Sequence, residues 1–162
     1  MSFGLTTILG SIACADFAPK PERPDKPRLL VLTDISNEPD DEESLVRLLV
    51  YSNEFQIEGL VATTSTYLRD RTREDLIRRG VAAYAEVRPN LTKHADDYPT
   101  AESLLTVTRT GQNGFGMAAV SREGGTPGSQ RIIDAGDRAD SRPLWISVWG
   151  GANTLAQALM DI

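Results

Sequence analysis

The chain has 162 residues, which is the length of a single domain. Hydrophobic residues make up 40% of it and charged residues 25%, a balance that excludes a disordered or fibrous protein. The net charge of -6 repels phosphate backbones and anionic lipid, and no apolar run reaches the roughly 20 residues of a membrane helix, so we expect neither a nucleic-acid partner nor a membrane span.

The N-terminal region reads as an export signal followed by a linker. Residues 1–15 are apolar and end in Ala-Cys-Ala, which suits signal peptidase, although the basic start of a secretory signal is missing. A wrongly assigned N-terminus is the alternative. In residues 16–27, four prolines alternate with charges, which favours extended chain over helix. We therefore expect a secreted or periplasmic protein whose folded part comprises residues 28–162.

From Arg28 onward, short apolar runs alternate with runs that have helical spacing. This pattern predicts βα units around a buried sheet, an α/β, Rossmann-like fold with mostly parallel strands. The predicted strands and helices are, in chain order, strand 29–33, helix 39–53, strand 57–63, helix 73–87, helix 129–139, strand 144–149 and a helix from residue 152. No glycine, proline or basic turn ends that last helix before Ile162, so we expect the N-terminal part of a larger domain.

Three aspartates flank the junction between the first predicted strand and the first predicted helix. Asp34 ends the strand, and Asp40 and Asp41 open the helix. Ligands of doubly wound sheets bind beyond the carboxyl ends of the strands, so these carboxylates are expected to converge there. Such oxygens suit calcium or magnesium, which would relieve their mutual repulsion. The alternative is that acids merely favour a helix N-terminus, but this does not explain the acid at the strand end.

Gly150, Gly151 and Asn153 lie where the last predicted strand turns into a helix. One interpretation is a close approach of the backbone to a metal and a sugar, with Asn153 binding the substrate. The other is a tight turn in which Asn153 caps the helix. Both interpretations stay open from the sequence.

A glycine-rich stretch lies between Thr106 and Ser129 and is too long for an ordinary connection. Gly111, Gly114 and Gly116 surround Phe115 and could form a flap over a pocket. A mobile surface loop is the alternative, and no residue of the stretch is assigned to a site.

Three segments carry a resemblance to a known family. TDISNEPDD resembles the start of the calcium-dependent inosine-uridine nucleoside hydrolases, whose first strand ends in a DTDPGxDD-like motif. LWISVWGGANTLAQAL is similar to their TGPLTNLAxAL-like segment. Residues 28–162, including IEGLVATTSTYLR, more closely resemble the nucleoside-hydrolase-like domain of cellulose-binding proteins. The resemblance implies the nucleoside hydrolase fold, incomplete here because the later His and Asp of the family's site would lie beyond Ile162.

The resemblance also implies roles for individual residues. With two extra residues in the acidic loop, Asp34 takes the place of the metal-binding general base, whereas an ungapped match puts Ser36 there. Asp40 falls on the acceptor of sugar hydroxyls and Asp41 on the calcium-chelating acid. Trp149 falls on the position whose backbone carbonyl ligates calcium. The family's asparagine after the second strand has no counterpart in TTSTYLR.

These roles imply a Ca²⁺-dependent hydrolase that cleaves an N-glycosyl bond of a nucleoside or small glycoside with a metal-activated water. Tyr67 could stack on the leaving group, or simply pack in a loop. The alternative function is a non-catalytic carbohydrate-binding protein on the same scaffold, with cellulose or another polysaccharide as its partner. A third function, magnesium-dependent phosphoryl transfer, lacks basic phosphate ligands near the acidic loop. The sequence leaves a homo-oligomer open.

Overall fold

The computed structural model describes residues 25–36 and 38–162. The predicted signal peptide and most of the predicted linker lie outside the described residues. The strands and helices are, in chain order, β1 (Arg28–Thr33), α1 (Pro39–Val50), β2 (Gln56–Ala62), α2 (Glu74–Leu91), α3 (Ala101–Thr106), β3 (Thr108–Thr110), α4 (Pro127–Gly136), β4 (Leu144–Val148) and α5 (Asn153–Asp161). Short 3-10 turns follow α1 at Ser52–Glu54 and β3 at Met117–Ala119.

The four strands form one parallel sheet in the order β3-β2-β1-β4. Parallel neighbours need long crossover connections, which the helices supply. Alternate residues of β1 feed two cores: Val31 packs with α1 and α2, whereas Leu30 and Leu32 pack with α4 and α5. The sheet is thus buried on both faces at its centre, which confirms the predicted α/β fold. All carboxyl ends of the strands meet at one edge.

Most predicted elements are observed, with shifted ends. The first helix stops at Val50 because Ser52 and Asn53, which favour turns over helix interiors, take up a 3-10 turn instead. The second helix runs past its predicted end at residue 87, through Pro89, to Leu91. Elements α3 and β3 were not predicted, because six and three residues are too few to show a periodicity.

An ion-pair network around Glu58 fixes the sheet at the end opposite to the carboxyl ends of the strands. The buried Glu58 accepts hydrogen bonds from Nε of Arg28 at 2.9 Å and Nη2 of Arg131 at 3.2 Å. Nη1 of Arg138 lies 3.0 Å from Oε1 of the same carboxylate. The network joins β1, β2, α4 and the chain after α4, so it holds the layers together far from the acidic loop.

The α1 side of β4 carries an apolar trough. Phe55 lies between Trp145 at one end and Trp149 at the other. The side chain of Trp145 is 62% exposed. Among residues 25–36 and 38–162, no strand pairs with the outer edge of β4. Within the same part of the chain, no helix has the length and apolar character needed to cross a membrane.

Candidate functional site

A cavity of about 350 Å³ opens at the carboxyl ends of β1 and β4. Asp34, Asp40 and Asp41 all line it, and the turn after β4 contributes Trp149 and Gly150. The structure therefore brings together the three carboxylates and the tryptophan that the sequence analysis selected. The volume is in the range of ligand pockets in proteins.

The path of the chain explains why Asp34 faces the turn after β4. The backbone N–H of Trp149 donates to the carbonyl of Leu32 at 2.8 Å, which extends the pairing of β4 with β1 up to the cavity. Gly150 then passes directly beside Asp34: a Cβ on Gly150 would lie 2.7 Å from Oδ1 of Asp34. Only glycine allows this approach. Ser36, the alternative base in the ungapped alignment, is not among the described residues that line the cavity.

Asp41 is held below the cavity surface by the end of β1. Its side chain is only 7% exposed, and its Oδ2 accepts a 2.5 Å hydrogen bond from the hydroxyl of Thr33. The Thr33 hydroxyl in turn accepts the backbone N–H of Ile35 at 3.1 Å. Asp40 is one residue earlier in the first turn of α1 and is exposed. The two neighbouring acids therefore differ in environment: one is buried and fixed, the other is free to contact a ligand.

Burial raises the pKa of Asp41 to about 6, because the charged carboxylate is poorly solvated there. The hydrogen bond from Thr33 opposes this shift, whereas the negative charges of Asp34 and Asp40 add to it. Asp34 therefore lies close enough to Asp41 for its negative charge to favour a proton on Asp41. A bound divalent cation would replace that proton.

The donor set fits a calcium ion only in part. Asp34 and Asp41 supply hard carboxylate oxygens at one cavity, and Trp149 lines the same cavity. Over residues 25–36 and 38–162, however, no three acidic, His or Cys side chains converge as metal ligands. Because Ca²⁺ takes six to eight oxygens, this set needs water or further oxygens to complete its coordination.

Aromatic rings form another part of the cavity wall. Tyr67, Phe115 and Trp149 all line the cavity. The side chain of Tyr67 is 69% exposed, so the alternative that it packs in a loop is wrong. Its stacking on a leaving group stays a prediction. An acidic cavity with aromatic side chains in its wall is suited to a ligand that has both hydroxyl groups and an apolar face.

Polar side chains of α5 form hydrogen bonds with the backbone of the glycine-rich stretch. Nδ2 of Asn153 donates to the carbonyl of Gly114 at 2.9 Å, and the hydroxyl of Thr64 donates to the same oxygen at 3.0 Å. Farther along, the amide of Gln157 donates to the carbonyl of Ser121 at 2.7 Å and accepts its N–H at 3.0 Å. These contacts do not favour a mobile surface loop.

Asn153 does not cap α5, so the interpretation of Asn153 as a helix cap, one of the two left open, is wrong. The N-cap is Ala152, and no side chain caps this end. The physical reason is that the buried Asn153 amide is bonded to Gly114 instead. The predicted contact of Asn153 with a sugar stays a prediction.

The sequence analysis gives no site role to Thr33, which holds Asp41. It also gives none to several residues that line the cavity: Glu38, Ser65, Thr66, Phe115 and Ala152. In the sequence, Phe115 lies between two glycines of a long stretch. This pattern indicates a backbone that can approach a pocket closely, because glycine has no Cβ. Thr33 gave no separate signal, because its contact with Asp41 depends on how β1 meets α1.

Comparisons with known proteins agree with this architecture. The profile of a family described as "Cellulose-binding Sde182, nucleoside hydrolase-like domain" matches residues 28–162. A solved structure, a nucleoside hydrolase-related hypothetical protein from Saccharophagus degradans that is associated with carbohydrate metabolism, is 41% identical with a TM-score of 0.81. The similarity covers 83% of this chain and 33% of that chain, so the chain spans about a third of that protein. No curated protein is significantly similar to the chain. The chain therefore belongs to the nucleoside hydrolase-like domain family of cellulose-binding proteins.

Proposed function

We propose that the acidic cavity binds Ca²⁺ and takes part in hydrolysing the N-glycosyl bond of a ribonucleoside-like compound, in a secreted or periplasmic protein. The observation that carries the proposal is that Asp34 and the buried Asp41 line the same cavity beyond the strand ends. Burying a carboxylate near a like charge is costly unless a cation or a proton compensates it.

Asp34, Asp41 and the backbone carbonyl of Trp149 would hold the ion. When bound, the ion supplies Lewis acidity and lowers the pKa of a water molecule. Calcium sites of extracellular modules bind with dissociation constants of about 10⁻⁴ to 10⁻³ M, and we expect this range here.

Asp34 and Asp40 have separate roles in the proposed reaction. Asp34 is half-buried at the cavity and accepts the proton of the attacking water at a carboxylate oxygen. Asp40, exposed in the same cavity, accepts hydrogen bonds from sugar hydroxyls. The transition state of glycosyl transfer to water resembles an oxocarbenium ion, so the carboxylates also stabilise its positive charge.

A second candidate function is carbohydrate binding without turnover. The description of the family as cellulose-binding favours it, as do the ring faces of Tyr67, Phe115 and Trp149 in the cavity. Aromatic rings bind the C–H face of sugars through apolar contact, which requires no catalysis. In this case the ion and the acids would position hydroxyl groups only.

Calorimetric titration of the purified chain with CaCl₂ tests the metal site. We expect binding in wild type, at least tenfold weaker binding in Asp34→Asn and Asp41→Asn, and a change below twofold in Glu43→Gln. Glu43 is an exposed acid of the same helix, so this variant removes an equal charge outside the cavity. A wild-type chain that does not bind Ca²⁺ would disprove the proposed site.

Turnover is tested in the longest natural form of the protein that contains this sequence. Release of ribose from inosine or uridine, lost with EDTA and in Asp34→Asn, is the result expected of a hydrolase. Calcium binding with retention on cellulose and no release of ribose would instead establish the binding function.

A further inference from the structure

We infer that Arg69 binds an anionic group of the ligand at the rim of the acidic cavity, so that the site prefers a phosphorylated or carboxylated ligand to its neutral counterpart. The inference rests on the proposed function in one respect, because it takes the acidic cavity as the ligand site. It goes beyond that function in the chemical class of the ligand, since a nucleoside or a neutral glycoside has no negative charge.

Arg69 lies in the loop between β2 and α2, which forms part of the cavity wall. Ser65, Thr66 and Tyr67 of this loop line the cavity. The hydroxyl of Ser65 accepts the backbone N–H groups of Tyr67 at 3.0 Å and Leu68 at 3.1 Å. The carbonyl of the buried Leu68 accepts the N–H of Ser65 at 2.9 Å. The backbone therefore reaches Arg69 from a closed turn at the cavity.

The glycine-rich stretch holds Arg69 from its other side. The N–H of Phe115 donates to the carbonyl of Arg69 at 3.1 Å. The guanidinium of Arg69 lies over the Phe115 ring at 5.2 Å from the ring centre, a cation–π contact. Phe115 lines the cavity, so this contact keeps the positive charge beside the cavity wall. Because the side chain is already ordered, binding a ligand costs it little further entropy.

Within the described part of the chain, no carboxylate forms an ion pair with Arg69. Two neighbouring arginines do have such partners: Arg71 lies 3.7 Å from Asp70, and Arg73 lies 2.8 Å from Asp75. The side chain of Arg69 is also exposed, so a ligand can reach it. A guanidinium has N–H donors in a planar fork that matches the oxygens of a phosphate or a carboxylate.

The charges of the cavity itself decide where an anionic group is bound. Among the described residues that line the cavity, the charged ones are all acids: Asp34, Glu38, Asp40 and Asp41. These acids accept hydrogen bonds from hydroxyl groups but repel a negative charge, whereas the rim beside Arg69 attracts one. The hydroxyl groups and the anionic group of one ligand are therefore bound in separate parts of the site.

The test compares two pairs of probes, each differing in one charged group: inosine 5′-monophosphate against inosine, and glucuronic acid against glucose. Affinities are measured by NMR titration in CaCl₂ for wild type, for Arg69→Gln, which removes the charge, and for Arg69→Lys, which keeps it. The control is Arg71→Gln, which removes an equal charge from an exposed side chain of the same loop. Calorimetry measures the Ca²⁺ affinity of each protein.

We expect the wild type to bind at least one anionic probe about fivefold more tightly than its neutral counterpart, as an exposed charge-assisted contact allows. This preference should vanish in Arg69→Gln, persist in part in Arg69→Lys and stay within twofold of wild type in Arg71→Gln. It should also shrink in high salt, because salt screens exposed charges. A preference in the inosine pair assigns a phosphate to Arg69, and one in the glucose pair assigns a carboxylate.

Three results would overturn the inference: equal affinities within both pairs of probes in wild type, a preference that survives in Arg69→Gln, or an equal loss of preference in Arg71→Gln. Survival in Arg69→Gln would show that the anion is bound elsewhere, for example by Ca²⁺. A wild-type chain that does not bind Ca²⁺ but has a preference dependent on Arg69 supports the inference and refutes the proposed metal site. The two failures are therefore distinguishable.

Discussion

The hydroxyl of Thr33 donates a 2.5 Å hydrogen bond to Oδ2 of the buried Asp41, and this bond joins the end of β1 to the first turn of α1. The same hydroxyl accepts the N–H of Ile35. A single side chain thus ties the start of the acidic loop to α1 and opposes the rise that burial causes in the pKa of Asp41.

Replacing Thr33 with valine should destabilise the protein and weaken its calcium site. The substitution keeps the shape but leaves the N–H of Ile35 and the Asp41 carboxylate without their partner, at a cost of about 1 to 3 kcal/mol in the free energy of unfolding. Urea unfolding and CaCl₂ titration measure the two effects. Thr33→Ser, which keeps the hydroxyl, should lose less than half as much. Equal losses in both variants would show that the methyl group, not the hydrogen bond, matters.

The stability of the metal-free protein should fall as pH rises through the titration of Asp41. Its pKa is about 6 in the folded chain against the ordinary aspartate value of 3.8, so the folded state holds this proton more tightly than the unfolded state. The contribution is therefore fully present below about pH 4, is lost between about pH 4 and 6, and amounts to roughly 3 kcal/mol.

This pH dependence is measured as the difference between wild type and Asp41→Asn, unfolded by urea in EDTA from pH 4 to 7.5. The asparagine cannot ionise, so the variant should gain stability relative to wild type across that window. Carboxyls remote from Asp41 titrate alike in both proteins and cancel in the difference. Parallel curves for the two proteins would contradict the raised pKa of Asp41.

Gly150→Ala should displace Asp34 and weaken calcium binding about tenfold. The added methyl would lie 2.7 Å from Oδ1 of Asp34, closer than real side chains approach, and the carboxylate must move away. Gly136→Ala at the end of α4 is the matched control, because a Cβ there meets nothing within 4 Å. The control should leave Ca²⁺ affinity unchanged and raise stability slightly. If Gly150→Ala binds Ca²⁺ normally, Asp34 is not a ligand.

Glu58→Gln should destabilise the fold by about 3 to 5 kcal/mol without changing calcium affinity. The substitution removes the nearest charge partner of the buried Arg28, which then keeps Asp140 at 3.7 Å, and the neighbouring arginines lose the same partner. The exposed pair of Arg73 and Asp75 supplies the comparison, since Asp75→Asn should cost less than about 1 kcal/mol. Thermal unfolding measures both. A similar small loss in the two variants would mean that the network contributes no more than a surface pair.

The sequence predicted the acidic cavity because a general rule covers it: parallel strands end at one edge, and Asp34 ends such a strand. Buried residues of the long helices follow from spacing in the same way. The short elements α3 and β3 left no such pattern. Local signals alone cannot predict elements that depend on their neighbours for stability.

The second part of the site depended on contacts between residues far apart in the chain. Asn153 looked like a helix cap because it begins a helix, but its amide bonds to Gly114, 39 residues earlier in the sequence. Phe115 acquires its place from Arg69 and Gly151, which come from different loops. These contacts form only when the folded sheet brings distant loops together, so no local pattern in the sequence predicts them.

The two tryptophans beside β4 allow ligand binding to be followed by the intrinsic fluorescence of the protein. Both tryptophans of the sequence, Trp145 and Trp149, lie on this one face, and Trp149 also borders the acidic cavity. Indole emission moves to shorter wavelength when water is excluded from the ring. The emission of Trp145 should therefore shift when a partner covers the trough, and that of Trp149 should shift when a ligand fills the cavity. In a Trp145→Phe variant, only the shift of Trp149 remains.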